Sequence, residues 1–189
     1  MTSGTVFDRM LRVIEEDIVP LTEKGVRRGD KVFGAAVLRK SDLSLVIAGT
    51  NHESECPLWH GEVYTIKEFF ALPDHPDPAE CLFLSTHEPC SMCISALAWS
   101  GFGRIYYLFG YESTRDDFNI PHDLQILEDV FGCRAPTRKN RYYEMTWLRD
   151  MIPSPDDPES ARSRVERLRA TYARLSDVYQ AGEKKMVRS

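Results

Sequence analysis

Apolar residues near the start of the chain recur at the spacing of an α-helix. Residues three or four positions apart share one face of a helix, so the pattern predicts an amphipathic first helix that packs on a core. Proline has no amide hydrogen, and Pro20 is therefore expected to end this helix. The apolar positions are Phe7, Met10, Leu11, Ile14 and Ile18.

The middle of the chain alternates short apolar runs with helical segments. The predicted strands are residues 31–39, 45–48, 81–85 and 104–109, and the predicted helices are residues 60–71, 90–99 and 124–131. The region from 132 to 151 is less regular, and a fifth strand is expected within R-Y-Y-E-M-T-W, residues 141–147. Strands and helices that alternate at these lengths predict a layered α/β domain.

A second amphipathic helix is predicted at the end of the chain. It follows the proline-rich stretch P-S-P-D-D-P, and its apolar residues alternate by four and three positions, which gives one stripe along a helix. The stripe favours packing on the protein's own domain, with packing on a partner as the alternative. The stripe is Ala161, Val165, Leu168, Tyr172, Leu175 and Tyr179. The expected organisation is one domain over residues 1–152, then a linker and packed helix over residues 153–189.

Composition limits the class of protein. A chain of 189 residues with 42% hydrophobic content is long enough for one domain with a substantial core. The start lacks a basic segment followed by an apolar one, and no apolar run approaches the roughly 20 residues that span a bilayer. These features predict a cytoplasmic protein without a membrane segment. Five cysteines, an odd number, favour a metal site or reactive thiols over a disulfide framework.

Charge is distributed unevenly along the chain. The net charge is -5, and residues 158–189 hold eight Lys/Arg against four Asp/Glu, so this tail carries +4 and the preceding residues carry -9. An acidic body argues against a protein whose main task is to wrap nucleic acid. The basic tail keeps RNA contact open, and a solvated helix face is the alternative interpretation.

Two short motifs carry the candidate chemistry. W-H-G-E-V at residues 59–63 supplies His60 and Glu62, and H-E-P-C-S-M-C at residues 87–93 supplies Cys90 and Cys93. One imidazole and two thiolates form a suitable ligand set for Zn²⁺ that leaves the fourth position open. Both motifs begin helices, whose positive N-terminal ends favour thiolates. Glu62 is close enough to take a proton from a zinc-activated water without binding the metal itself.

The paired motif resembles the H-x-E and P-C-x-x-C signature of zinc nucleobase deaminases. From residue 33 to 109 the chain is similar to the cytidine deaminase-like superfamily, with F-G-A-A-V-L, G-T-N, H-G-E, S-T-H-E-P-C-S-M-C and R-I-Y-Y in the family's order. The resemblance implies a three-layer α/β/α fold around a central mixed sheet of about five strands. It also implies hydrolytic release of ammonia from a ring amino group, and a homodimer.

The resemblance implies a role for each of several residues. His60, Cys90 and Cys93 would bind zinc, and Glu62 would move protons from water to the ring nitrogen and the leaving amine. The side chain of Asn51 would hydrogen-bond the substrate. The backbone amide of Gly61 and the carbonyl of Glu88 would face the ring.

Other parts of the chain match single branches of the superfamily, or none. E-P-C-S-M-C is similar to the guanine deaminase and tRNA adenosine deaminase branch, A-L-A-W-S-G with Trp99 looks like guanine deaminases, and Gly61 resembles fungal cytosine deaminases. The chain also departs from the family's usual D-P-T-A-H, which is C-P-L-W-H here, and residues 111–124 match no base-recognition pattern.

We therefore predict a zinc-dependent deaminase of a free nucleobase or nucleoside, with guanine the first candidate and cytosine the next. A tRNA adenosine deaminase is the alternative enzyme, although RNA is the less favoured partner. From a different class, the alternative is a non-catalytic zinc-stabilised binding module, with Cys56 or His87 as a fourth ligand of a closed site. For Asn51, a role in a turn is the alternative to substrate binding. Trp99 is expected in the core rather than in a pocket, and both places are open for Trp59.

Overall fold

A mixed five-stranded sheet is the frame on which the other elements lie. The computed structural model describes residues 2–111, 122–133, 135–152 and 156–186, with side chains described except at 122–124 and 183–186. The strands are β1 (Gly34–Arg39), β2 (Leu45–Thr50), β3 (Cys81–His87), β4 (Arg104–Phe109) and β5 (Glu144–Trp147). Their order is β2-β1-β3-β4-β5. β1 is antiparallel to both of its neighbours, whereas β3, β4 and β5 run parallel.

Helices cover both faces of this sheet. In the described residues they are α1 (Ser3–Val13), α2 (Val19–Arg28), α3 (Gly61–Ala71), α4 (Ser91–Trp99), α5 (His122–Phe131) and α6 (Pro158–Met186). Side chains of a strand alternate between the faces, and the buried residues accordingly form two clusters. One cluster joins Leu38, Leu84 and Leu108 to α1 and α6, and the other joins Val37, Phe83 and Ile105 to α3 and α4. The predicted three-layer α/β/α architecture is confirmed.

The first helix does not end at Pro20, so that prediction was wrong. A π-helical turn over Ile14–Ile18 links α1 to α2, and the helical path continues to Arg28. The π-turn places Pro20 in the first turn of α2, where a missing amide hydrogen costs little. The actual end is at Gly29, whose φ of 103° is a left-handed conformation that glycine adopts without strain.

The terminal helix α6 completes the larger cluster. All six residues of the predicted stripe are buried there, and Tyr172 is fully buried. Arg164 anchors α6 to the first helix, because its guanidinium donates to Glu15 at 3.1 and 2.8 Å and to Asp8 at 3.2 Å. No helix within the described ranges is both long and apolar enough to cross a membrane.

Candidate active site

The two motifs lie on the same face of the sheet, one after a loop and the other after a strand. His60 is the N-cap of α3, which follows the loop after β2, and Cys90 is the N-cap of α4, which follows β3. Neither cap has helical backbone, since ψ is 157° at His60 and 172° at Cys90. The two helices thus begin side by side, and Cys93 lies in the first turn of α4.

The donor atoms of His60, Cys90 and Cys93 form an equilateral triangle. His60 Nδ1 is 3.6 Å from each sulfur, and the two sulfurs are 3.6 Å apart. Zinc bonds of about 2.3 Å to sulfur and about 2.0 Å to nitrogen in a tetrahedron give edges of about 3.8 and about 3.5 Å. The three residues therefore fit a zinc ion with one position left open.

Neither candidate for a fourth protein ligand joins this triangle. Among the described residues, one group of three or more donor atoms could hold a metal ion. It consists of His60, Cys90 and Cys93, and it does not include Cys56 or His87. The ring of His87 instead packs against three aromatic rings, at centroid distances of 4.8 to 5.3 Å. These rings belong to Phe33, Phe109 and Tyr172. A closed structural site built on either residue has no support in this geometry.

Glu62 lies beside the triangle in the first turn of α3. The side chain is buried, Ser85 Oγ donates to its Oε1 at 2.8 Å, and its Oε2 is 3.4 Å from Cys93 Sγ. Burial and the nearby Cys90 charge raise the pKa of Glu62 above its ordinary value, against the opposing effects of His60 and Ser85. A carboxyl group with a raised pKa is suited to both accepting and returning a proton.

The charges of the ligand residues are coupled. The hydrogen bond from Cys93 and the contacts with His60 lower the pKa of Cys90 to about 4, while burial raises the pKa of Cys93. Burial alone would lower the pKa of His60, but the Cys90 thiolate outweighs it and raises the pKa to about 9. These pKa shifts favour a negative Cys90 beside a positive His60, and a metal bound by all three residues would displace the protons from the imidazole and the Cys93 thiol.

Asn51 is fully buried directly after β2, and its side chain is engaged with Glu53. Its Oδ1 accepts from the Glu53 amide at 2.9 Å, and its Nδ2 donates to Glu53 Oε2 at 2.5 Å. The first contact is an Asx turn, which is the turn role considered as the alternative for this residue. The contact between Asn51 and a substrate stays a prediction.

Gly61 stands where the start of α3 comes very close to β1. A Cβ atom at this position would lie 2.6 Å from the Phe33 carbonyl oxygen and 2.9 Å from Gly34 Cα. Both are backbone atoms, so a side chain at residue 61 would require the helix or the strand to shift. Glycine is therefore needed for packing at this position, independently of the predicted role of its amide.

The carboxylate and backbone of Glu88 hold the turn between β3 and α4. The Glu88 amide donates to the Phe109 carbonyl at 2.7 Å, and Glu88 Oε2 accepts from the Tyr111 amide at 3.2 Å. Tyr111 also donates its hydroxyl to the Pro89 carbonyl at 2.7 Å. These contacts fix the backbone that leads into Cys90. The predicted contact of the Glu88 carbonyl with a substrate ring stays a prediction.

Comparison with known families identifies the region that carries this site. Residues 17–109 match the sequence model of the cytidine and deoxycytidylate deaminase zinc-binding region. This range contains the three candidate zinc ligands and Glu62, in the arrangement just described. The prediction of a cytidine deaminase-like zinc-binding region is confirmed for residues 17–109, which are just under half of the chain. No protein with a curated function matches the deaminase-like chain by sequence.

Solved structures show the same fold. Guanine deaminase from Nitrosomonas europaea aligns with a TM-score of 0.52 and 23% identity over 87% of this chain and 84% of that one. Guanine deaminase from Bacillus subtilis aligns with a TM-score of 0.52 and 23% identity over 81% and 91%. A mutant protein in complex with 8-azaguanine reaches a TM-score of 0.56 with 21% identity, over 90% and 88%. At these identities the likeness establishes the fold alone.

Two tryptophans near the motifs in the sequence lie outside the buried core. Trp99 was predicted to be a core residue, but it is 92% exposed at the end of α4, so that prediction was wrong. Its indole lines a surface cavity with Tyr142 rather than the interior. Trp59, next to the ligand His60, is partly buried and lies 5.6 Å from the ring of Tyr64.

Two residues of the site were missed by sequence reasoning. Ser85 contacts Glu62, and Glu53 lies 3.5 Å from the second ring nitrogen of His60. Ser85 is the first residue of the quoted S-T-H-E-P-C-S-M-C motif, and its inward position follows from strand alternation once β3 is placed. Glu53 had no comparable signal, because its partners depend on the path of a loop. Residues 112–121, most of the stretch without a base-recognition pattern, lie outside the described residues.

Proposed function

We propose that the protein is a zinc-dependent hydrolytic deaminase that replaces a ring amino group of a free nucleobase or nucleoside by oxygen and releases ammonia. The observation that carries this proposal is the position of Glu62, which is buried 3.4 Å from Cys93 Sγ yet lies outside the group of three zinc donors. Burying a carboxyl group is costly, and a purely structural zinc site would not require one. The arrangement supports an enzyme over a non-catalytic binding module.

The reaction needs water to be activated and protons to be moved. Zinc, when bound, supplies a Lewis acid that makes water a nucleophile near neutral pH. Glu62 would take the proton from the attacking water and deliver it to the ring nitrogen. It would then take the second proton from the hydroxyl group added to the ring carbon and pass it to the leaving amine. Ser85 would orient this carboxyl group, since its hydroxyl holds Oε1 and leaves Oε2 toward the ligand cluster. The carbon–oxygen bond formed replaces the carbon–nitrogen bond broken, and ammonia carries away the amino group.

The ion pairs of α6 favour a small substrate over RNA. Long-range attraction of RNA would depend on five arginines of the terminal helix, because residues 158–189 carry +4 while the preceding residues carry -9. Four of the five already pair with carboxylates, which lowers their availability for phosphates. The pairs are Arg162–Glu159, Arg164–Glu15, Arg169–Glu166 and Arg174–Glu23. Guanine remains the first candidate and cytosine the second.

A homodimer is the assembly that we propose for the enzyme. α4 is apolar around most of its surface, yet it ends in a tryptophan that is 92% exposed, beside Tyr142 at 58% exposure. Exposed aromatic residues of this kind are typical anchors of protein interfaces. Sedimentation velocity of the wild type and of Trp99→Lys tests this assembly: a dimer that becomes a monomer supports it, and a monomeric wild type contradicts it. The predicted cytoplasmic location stays a prediction.

An ammonia-release screen tests the proposed activity. Purified zinc-loaded protein is incubated with free bases, nucleosides, nucleotides and other amino-heterocycles, with Glu62→Gln as the matched inactive control. We expect turnover of a free base or nucleoside that changes little between low and moderate salt. Turnover confined to an adenosine-bearing tRNA loop and lost as salt rises would establish the alternative enzyme instead. Zinc-loaded protein that releases no ammonia from any of these substrates would favour the binding module.

A further inference from the structure

A single carboxylate, Glu53, joins the zinc ligand histidine to the buried asparagine. Its Oε1 is 3.5 Å from His60 Nε2 and 2.8 Å from Lys31 Nζ, and its Oε2 accepts from Asn51 Nδ2 at 2.5 Å. The side chain is only 17% exposed. Glu53 lies in the loop between β2 and α3, so none of these contacts is a helical or strand pairing. The loop therefore places a carboxylate beside the candidate zinc ligand, in addition to connecting β2 to α3.

The two nitrogens of the His60 ring face different partners. Nδ1 is 3.6 Å from both sulfurs, whereas Nε2 faces Glu53. A histidine binds a metal through the nitrogen that carries no proton, and a carboxylate on the other nitrogen selects that tautomer. Glu53 therefore lies where it would keep the proton on Nε2 and direct the Nδ1 lone pair toward the metal. The distance of 3.5 Å is longer than a usual N–H···O hydrogen bond, so the contact in this structure is an ion-pair contact.

Lys31 and Asn51 hold the carboxylate in this place. The Lys31 ammonium pairs with the Glu53 carboxylate at 2.8 Å, and both side chains are largely buried. The Glu53 amide donates to Asn51 Oδ1, so backbone and side chain of Glu53 together clamp both ends of the Asn51 amide group. One residue thus orients two groups of the site.

We propose that Glu53 is a positioning residue that sets the orientation of both His60 and Asn51, and so tunes zinc affinity and base binding together. The inference rests on the proposed function for its base-binding half, because Asn51 is predicted to contact the substrate. The zinc half depends only on His60 being a ligand. Glu55, two residues further along the chain, offers a matched comparison: it is 54% exposed and pairs with His52 instead of the site.

Zinc release from the loaded protein tests the first half. A chromogenic chelator is titrated into zinc-loaded wild type, Glu53→Gln, Glu53→Ala and Glu55→Gln. Loss of a carboxylate behind a metal-bound histidine typically lowers metal affinity by about 10- to 100-fold, and we expect this for both Glu53 variants. Glu55→Gln should behave as the wild type. Wild-type affinity in both Glu53 variants would overturn the proposal, as would a wild-type protein that binds no zinc.

A spectroscopic measurement separates positioning from simple support of the loop. Cobalt replaces zinc in each protein, and its visible absorption reports the geometry of the ligands. We expect the band to shift in Glu53→Gln and to stay in place in Glu55→Gln, whereas mere loop destabilisation would leave the band of the loaded protein unchanged and so contradict the proposal. If the wild type binds zinc but turns over no substrate, the proposed function fails while these two measurements still decide the role of Glu53.

A kinetic measurement tests the second half on whichever base is turned over. Because Asn51 would contact the substrate, Glu53→Gln measured at saturating zinc should raise KM by more than it lowers kcat. An unchanged KM would show that Glu53 acts on the metal ligand alone and would overturn the dual role.

Discussion

His60 and His87 each lie within one of the two motifs, but they are in opposite environments. His60 faces the Cys90 thiolate and Glu53, and its pKa is raised to about 9. His87 is enclosed by aromatic rings, and burial lowers its pKa to about 3. Either residue could have been a metal ligand by its chemistry. The comparison shows that the residues around each imidazole ring, and not the residue type, decide which histidine is placed to bind a metal.

The same contrast extends to the two faces of the sheet. The α3 and α4 face holds the buried polar groups of the site, including Glu62 and Ser85. The opposite face is the larger apolar cluster, which α6 completes. We therefore expect changes on the first face to remove metal or activity, and changes on the second to reduce stability without altering the chemistry.

The largest effect is expected for the sulfur ligands. Purified wild type should contain one zinc per chain, and Cys90→Ser or Cys93→Ser should lose most of it, because hydroxyl groups are poor zinc ligands. Elemental analysis of protein prepared with excess zinc provides the measurement. Cys56→Ser is the control and should keep its zinc. Equal metal loss from the control would return support to a closed four-ligand site.

Glu62→Gln should abolish most turnover while the protein keeps its fold and zinc. The amide has nearly the shape of the carboxyl group but cannot accept the proton, and general acid–base transfer contributes about 10²- to 10⁴-fold. Steady-state ammonia release, with zinc content and circular dichroism measured on the same samples, gives the comparison. A rate within a few-fold of wild type on a verified substrate would rule out Glu62 as the proton carrier.

On the opposite face, Leu168→Ala should lower the free energy of unfolding by about 2–5 kcal/mol, as expected for a leucine truncated within a core. Leu168 is 4% exposed, while Val178 on the same helix is 49% exposed, so Val178→Ala is a matched control with a small expected effect. Urea unfolding measures both, and their zinc content should equal that of the wild type. Metal loss from Leu168→Ala at low temperature would show that the two faces are not independent.

The smallest effect concerns pH and His87. Its pKa is about 3 in the folded chain against an ordinary value of 6.5, so only the unfolded chain binds the proton between these values. The stability linked to neutral His87 is complete above pH 6.5 and is lost as pH falls toward 3. His87→Phe should remove this loss, which at pH 5 amounts to about 2 kcal/mol.

Urea unfolding of the wild type and His87→Phe at pH 7 and pH 5 provides the test. Acid release of zinc affects both proteins alike and cancels in the difference between them. If the free energy of unfolding changes equally in the two proteins between pH 7 and pH 5, His87 is not held neutral in the core. Such a result would also weaken the contrast with His60.

Much of the fold was predictable because its signals are local. The predicted strand 104–109 matches β4 in both bounds, and the fifth strand lies within the predicted stretch as Glu144–Trp147. Helix and strand periods depend on residues a few positions apart, which the sequence displays directly. The prediction that the first helix ends at Pro20 was wrong because a π-turn precedes this proline, which therefore lies in the first turn of a new helix. The sequence does not display this π-turn.

By itself, the sequence determined the layered fold, and it predicted the candidate zinc donors and the general acid–base candidate, because donor chemistry and helix starts belong to single short segments. Tertiary structure decided what surrounds them. Ser85 reaches Glu62 across 23 positions, and the three zinc donors come together from segments 30 residues apart. Trp99 is exposed and His87 is enclosed for the same reason: packing between distant segments sets burial, and burial sets pKa and accessibility. Glu53 became part of the site only when the loop before α3 folded against His60.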